Sequence, residues 1–189
     1  ACSRDASTSF HPICGLANSQ AQALSALVAD CRSASVSDVL VLQYVHSMIF
    51  CRELRDAGFH LETISVPARK GFGYLGLIRS AAMKAVLGHF NSRSRKLPDL
   101  VLSTDDVVSE GALMAFASLG FESPRDFGFV TFATVGNVPL YPRELTRILY
   151  DPQSEAKDLA RTAIRFLKGD AVQADVISEL KYVRGETFG

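Results

Sequence analysis

Short apolar runs alternate with amphipathic stretches along most of the chain. The runs at 39–45 (Val-Leu-Val-Leu-Gln-Tyr-Val), 61–66, 99–103 and 128–133 are apolar and partly β-branched, which suits strands buried on both faces. Between them, Leu24, Leu27, Val28 and Cys31 make one stripe at helical spacing, with Asn18 or Ser19 able to cap it. A compact helix is expected at 47–57, closed by Gly58, and another from the glycine-rich loop at 71–76 to about His89. Val108, Ala112, Ala115, Phe116 and Leu119 form a further stripe, which Gly120 stops. The strand expected at 145–150 leads to Pro152 and Ser154, which open the best amphipathic helix: Ala156, Leu159, Ala160, Ala163, Ile164 and Leu167, ended by Gly169. A last strand is expected at 178–184, and a short one is possible at 13–16. Strands alternating with helices predict an α/β fold, a mainly parallel sheet with helices on both faces.

The stretch at 97–106, Leu-Pro-Asp-Leu-Val-Leu-Ser-Thr-Asp-Asp, organises this pattern. A buried strand ends in two carboxylates and a helix follows. In a parallel sheet that places Asp105 and Asp106 at the carboxyl edge, where ligands bind. One acid can instead cap the helix by accepting its unpartnered N–H groups, and the two roles can fall to one residue each. Magnesium needs more carboxylates than this pair, and the sequence offers no second acidic cluster.

The 189 residues suffice for one large domain or two small lobes, with 48% hydrophobic and 21% charged residues. Zero formal net charge creates no general field for nucleic acid or membrane surfaces. The basic cluster Arg93, Arg95 and Lys96 lies among serines and reads as a solvated loop. Cys2, Cys14, Cys31 and Cys51 have no metal-ligand spacing, so buried thiols in a reduced, cytoplasmic setting are expected. No apolar run reaches membrane-spanning length and no signal peptide is visible. Residues 1–9 read as a poorly ordered or appended N-terminus. Ala1 stands where an initiator methionine is absent, so a longer parent protein is expected.

Gly71-Phe72-Gly73-Tyr74-Leu75-Gly76 fits G-x-G-x-x-G and lies between a strand and a helix, as a dinucleotide site requires. However, Pro67, Ala68, Arg69 and Lys70 separate the first glycine from its strand, and the following acid is too distant. The loop reads better as one wall of a ligand cleft, with Phe72 and Tyr74 as aromatic faces and Arg69 or Lys70 as a donor. A surface loop is the bland alternative. His11, His46, His60 and His89 form no ligand pair; His46, where the 39–45 strand ends, either donates to a ligand or simply begins a helix. No serine elbow or base-paired cysteine is present, so no catalytic nucleophile is assigned.

The pattern from about residue 10 onwards resembles the effector-binding domain of LacI/GalR-type transcription regulators. The resemblance rests on Leu100-Val101-Leu102-Ser103-Thr104-Asp105-Asp106 with Gly111-Ala112 and Phe116-Ala117. It extends to Asp126-Phe127-Gly128-Phe129-Val130-Thr131-Phe132, Leu140-Tyr141-Pro142-Arg143-Glu144-Leu145-Thr146 and the closing Val183-Arg184-Gly185-Glu186-Thr187. His11-Pro12-Ile13-Cys14 and Asn18 fit the entry to the second lobe. The resemblance implies a periplasmic-binding-protein-like type I lobe that senses a small sugar or related metabolite and forms a homodimer, without catalysis or cofactor. Asp106 matches the aspartate that binds ligand hydroxyls, and Asp105 matches its Asn/Asp neighbour. Two departures affect the pocket: Arg52 lies inside a helix rather than in a long loop, and Ala133-Thr134 replaces a usual pair of aspartates. Thr134 and Asn137 remain as polar contributors.

The same resemblance implies that 10–189 is a C-terminal effector-binding region, with 145–169 normally belonging to the other lobe. The opening half of the first lobe and the helix-turn-helix have no counterpart here, so DNA contact is expected only through a region absent from this chain. The stripe Leu159, Ala163, Ile164 and Leu167 then lacks its usual cover and is expected to pack on a second copy or an altered sheet edge. The competing expectation is an α/β nucleotide-dependent enzyme using the 71–76 loop.

Overall fold

A computed structural model describes residues 18–44, 48–67, 75–91, 96–170 and 179–189. In chain order the elements are α1 (Asn18–Ser33), β1 (Asp38–Gln43), α2 (Met48–Asp56), β2 (His60–Ser65), α3 (Leu75–Asn91), β3 (Leu100–Ser103) and α4 (Asp106–Ser118). They continue with β4 (Gly128–Thr134), β5 (Thr146–Tyr150), α5 (Pro152–Leu167) and β6 (Leu180–Val183). The six strands form one sheet in the order β2-β1-β3-β4-β5-β6. The first five are parallel, and β6 runs antiparallel to β5. This is the expected α/β architecture, with the chain leaving β1 towards one edge and returning at β3 towards the other.

Side-chain alternation explains the two layers. Val39 and Val41 of β1 face α1 and α2, joining Leu24, Leu27, Phe50 and Leu54. Leu40 and Leu42 face the opposite way, into a cluster with Ala82 and Val86 of α3 and Val108, Ala112 and Phe116 of α4. Both faces of the central strands are therefore dry, which is why they read as unbroken apolar runs. Phe116 and Phe129 are essentially fully buried, each stabilising the fold by about 1.5–3 kcal/mol relative to exposure. Helices α3 and α4 pack so closely that a Cβ at Gly111 would lie 2.2 Å from the Arg79 carbonyl oxygen. Gly58 and Gly120 follow α2 and α4 with φ of 95° and 82°, in the left-handed region that a helix stop favours.

The C-terminal motif is also structural. Thr187 accepts the Thr146 N–H at 2.9 Å and donates to the Phe129 carbonyl at 2.8 Å, stitching β4 to β5 at their amino ends. Asp30 of α1 is buried and receives the Tyr182 hydroxyl at 2.7 Å and the Arg184 Nε at 3.0 Å. Burial, and donation to Asp30, push the Tyr182 phenol well above its ordinary value. Cys31 and Cys51 are free and buried, and burial pushes the Cys31 thiol up to about 12.

One expectation needs correction. Helix α5 does not pack on an altered sheet edge: β6 takes the place beside β5, and none of the α5 residues is buried. Leu159, Ile164, Phe166 and Leu167 are 50–83% exposed. The strand at 146–150 pairs with β4 in the main sheet, and the helix after it has no buried residue. No described helix is long and apolar enough to cross a membrane.

Candidate functional site

Strand β3 is buried throughout and ends at Ser103. The next hydroxyl, Thr104 Oγ1, donates to the Leu42 carbonyl and accepts the Tyr44 N–H, each at 3.1 Å. That ties the carboxyl ends of β1 and β3 together. Asp105 then adopts extended backbone (φ −157°, ψ 142°) and its Oδ1 accepts the Val108 N–H at 2.9 Å. Asp105 is thus the helix cap, and Asp106 is the first residue of α4. The turn is braced from below: the Ser103 and Ser109 hydroxyls donate to the Asp105 carbonyl at 3.1 and 2.8 Å, and Ser109 meets the Thr131 hydroxyl at 2.5 Å. Ser103, Ser109 and Thr131 are all fully buried. Satisfied buried hydroxyls of this kind hold a backbone in one geometry.

Desolvation raises the Asp105 carboxyl above its ordinary value; the Val108 N–H pulls it down and the neighbouring Asp106 charge adds to the rise. Asp106 points instead to the end of β4, where its Oδ2 accepts the Asn137 Nδ2–H at 2.9 Å. Asn137 is placed by a tight turn in which its N–H donates to the Thr134 carbonyl at 2.9 Å. Asp105, Asp106 and Thr134 line a cleft of about 240 Å³ at the carboxyl edge of the sheet, together with Thr104, Phe132, Ala133, Tyr150 and Leu180. Four of the sequence-predicted residues, Asp105, Asp106, Thr134 and Asn137, are thereby brought together. His46, Arg69, Phe72 and Tyr74 lie outside the described residues, as do residues 71–74 of the glycine-rich loop, whereas Leu75 and Gly76 open α3.

Sequence reasoning missed Tyr150 and Leu180, which face each other across the β5–β6 pairing. The sequence puts Tyr150 at the end of the strand expected at 145–150 but does not say which strand lies beside it. It is the final residue of β5, directly in register with Thr134 at the end of β4, so it occupies the same edge as the acids. No group of three or more His, Cys, Asp or Glu among the described residues is arranged to hold a metal ion. A larger hollow of about 720 Å³ lies elsewhere, on the outer face of α4, bordered by Leu113, Met114, Phe121, Leu140 and Tyr141. Its lining is largely apolar but also carries Arg79, Glu110, Glu122 and Arg125; the acidic cleft at the sheet edge remains the candidate site.

No family model matches the sequence, and no curated protein does. Solved structures do. A LacI family transcriptional regulator from Arthrobacter sp. FB24, in complex with lactose, aligns over 89% of this chain and 62% of its own, with a TM-score of 0.69 at 15% identity. A LacI family regulator from Bifidobacterium animalis subsp. lactis gives 89%, 61%, 0.69 and 12% in the same terms. A sugar-binding LacI family regulator from Enterococcus faecalis gives 88%, 62%, 0.67 and 17%. The chain therefore spans about three-fifths of the length of these neighbours. At such identities the likeness is one of fold, and the fold is the periplasmic-binding-protein-like one found in LacI-family transcriptional regulators.

Proposed function

We propose that this chain is the ligand-sensing and dimerising region of a LacI/GalR-like transcription regulator. It binds a small sugar-like effector and thereby modulates DNA binding by a helix-turn-helix carried elsewhere in the protein. The observation that supports this most is the convergence of Asp105, Asp106 and Thr134 on one cleft at the carboxyl edge of the parallel sheet, where such folds hold ligands. A lactose complex among the fold neighbours favours a polyhydroxylated ligand. The module senses rather than catalyses: a ligand preferring one arrangement of the regulator shifts its population and hence its affinity for DNA. Such a regulator works in the cytoplasm, where reduced Cys31 and Cys51 are at home.

The apolar hollow on α4 supports the homodimer. Leu140 is 93% exposed at its border and Met114 52%, so a protruding side chain and a groove share one surface, the arrangement a two-fold contact needs. The Arg79–Glu110 ion pair beside it supplies both signs of charge. Leu140→Asp is expected to convert a dimer to a monomer in light scattering.

The effector reading is tested by thermal-shift screening of sugars against nucleotides. A bound ligand at about 100 times its Kd adds about 2.7 kcal/mol, a shift of roughly 5–11 °C for a domain of this size. Sugars are expected to stabilise the chain, and Asp106→Ala to abolish the shift. A nucleotide shift that Gly73→Asp removes would instead establish the α/β enzyme built on the 71–76 loop.

A further inference from the structure

We propose that α5 is the element that fills the hollow on α4, and that it does so in a second copy of the chain, each copy lending its helix to the other. This inference rests on the homodimer reading above and names the parts that meet. Helix α5 has no buried residue, and Leu159, Ile164, Phe166 and Leu167 are each at least half exposed. Among the described residues that line the hollow, none comes from α5, so the helix does not serve its own chain. Its apolar side recurs as Ala160, Ala163, Ile164 and Leu167, the i, i+3, i+4, i+7 spacing by which a helix lies in a groove. The hollow shows the same spacing along α4, as Glu110, Leu113, Met114 and Ala117, with Leu140 and Tyr141 also lining it.

Size decides between the two ways such a dimer can close. Set hollow against hollow, a partner offers Met114 and Leu140 as its protruding apolar side chains, too little to occupy about 720 Å³. Space left empty forfeits the contacts that its walls would otherwise make. The α5 side offers four large apolar side chains, and its alanines let two helices approach to roughly 8–10 Å. Interfaces of standard size use about 20–30 residues a side. Fourteen described residues line the hollow, and the α5 arc from Ala156 to Leu167 adds seven apolar ones, so exchange brings each side to that size. Charge agrees with shape. Lys157 and Arg161 stand one turn apart on the border next to Ile164, and the hollow offers them Glu110 and Glu122. Because hollow meets helix and helix meets hollow, a single two-fold axis closes the pair.

The test is sedimentation velocity on the 189-residue chain, with Leu140→Asp at the hollow and Leu167→Asp on α5. Both side chains are largely exposed, so each variant keeps its fold, which circular dichroism checks. The parent is expected to be a dimer, and either change alone to weaken it at least about thirtyfold, the loss of a buried anchor. An equal mixture of the two variants is expected to regain a dimer, since the mixed pair retains one intact helix facing one intact hollow. A dimer that only one of the two changes breaks overturns the exchange; where that one is Leu140→Asp, the homodimer reading above stands. Two monomeric variants that stay monomeric when mixed also overturn it, because hollow then pairs with hollow and helix with helix. A monomeric parent overturns the homodimer reading and the exchange together.

Discussion

Alanine at Gly111 tests whether α3 and α4 are packed as tightly as the structure places them. In a solvent-facing helix interior the change stabilises, because glycine forfeits about 1 kcal/mol of helix propensity relative to alanine. At Gly111 the sign is expected to reverse. The new methyl carbon would sit 2.2 Å from the Arg79 carbonyl oxygen, 2.9 Å from the Ala82 Cβ and 3.0 Å from the Arg79 carbonyl carbon. Reaching ordinary contact with that oxygen requires α3 to retreat by about 1 Å, a gap that forfeits a quarter to a half of each dispersion contact along the seam. The obstacle is backbone, so no side chain can swing aside. Overpacking of this kind costs about 1–3 kcal/mol; less the ~1 kcal/mol of propensity gained, that leaves a net loss near 1 kcal/mol and a melting temperature lower by roughly 2–4 °C. Gly88, also on α3, is the control, because a Cβ there meets nothing within 4 Å; Gly88→Ala is expected to gain about 0.5–1 kcal/mol. Calorimetric or circular-dichroism melts of both variants decide it. A Gly111→Ala chain as stable as Gly88→Ala would falsify the close α3–α4 packing.

Asp105 gives a pH signature. Its folded carboxyl lies above the unfolded value because burial disfavours the charge. Its contribution is therefore fully present below the ordinary value of 3.8 and is lost as pH rises through the raised one. Asp105→Asn keeps a capping side chain without the charge, so its stability relative to the parent should grow between pH 3.5 and 7 in urea titrations; a difference that shrinks refutes the assignment. Asp105→Ala should cost about 1 kcal/mol through the lost cap, measured in the same titrations. Tyr182→Phe removes a donor from buried Asp30, with an expected loss of about 1.5–3 kcal/mol by chemical denaturation. Cys31, with its thiol held near 12, should resist thiol-labelling reagents at pH 8 in the folded chain and react on unfolding, as mass spectrometry of labelled peptides would show.

The parallel strands were legible because burial on both faces leaves apolar runs that no solvent-facing strand shows, and Val39–Leu42 and Leu100–Leu102 are such runs. The double acid was legible for a related reason: carboxylates directly after a buried strand have only the sheet edge to occupy. Which acid caps and which faces the cleft was not legible. That division depends on Asn137, which sits thirty-one positions away and reaches Asp106 only because β3 and β4 are neighbours. Tyr150 escaped notice for the same reason, since a tyrosine ending a strand gains meaning only when the strand's neighbour is known.

Helix α5 shows the limit most clearly. Its periodicity foretold its existence and its apolar stripe, yet periodicity names a face without naming what covers it. Local pattern encodes how a segment folds, whereas its partner is encoded in another segment altogether. The first turn of α5 is the part that does find the body, through Glu155 and Tyr150, and that contact is made at the cleft. A change in α5 packing therefore has a direct mechanical route, through Glu155, to Tyr150 in the wall of the cleft.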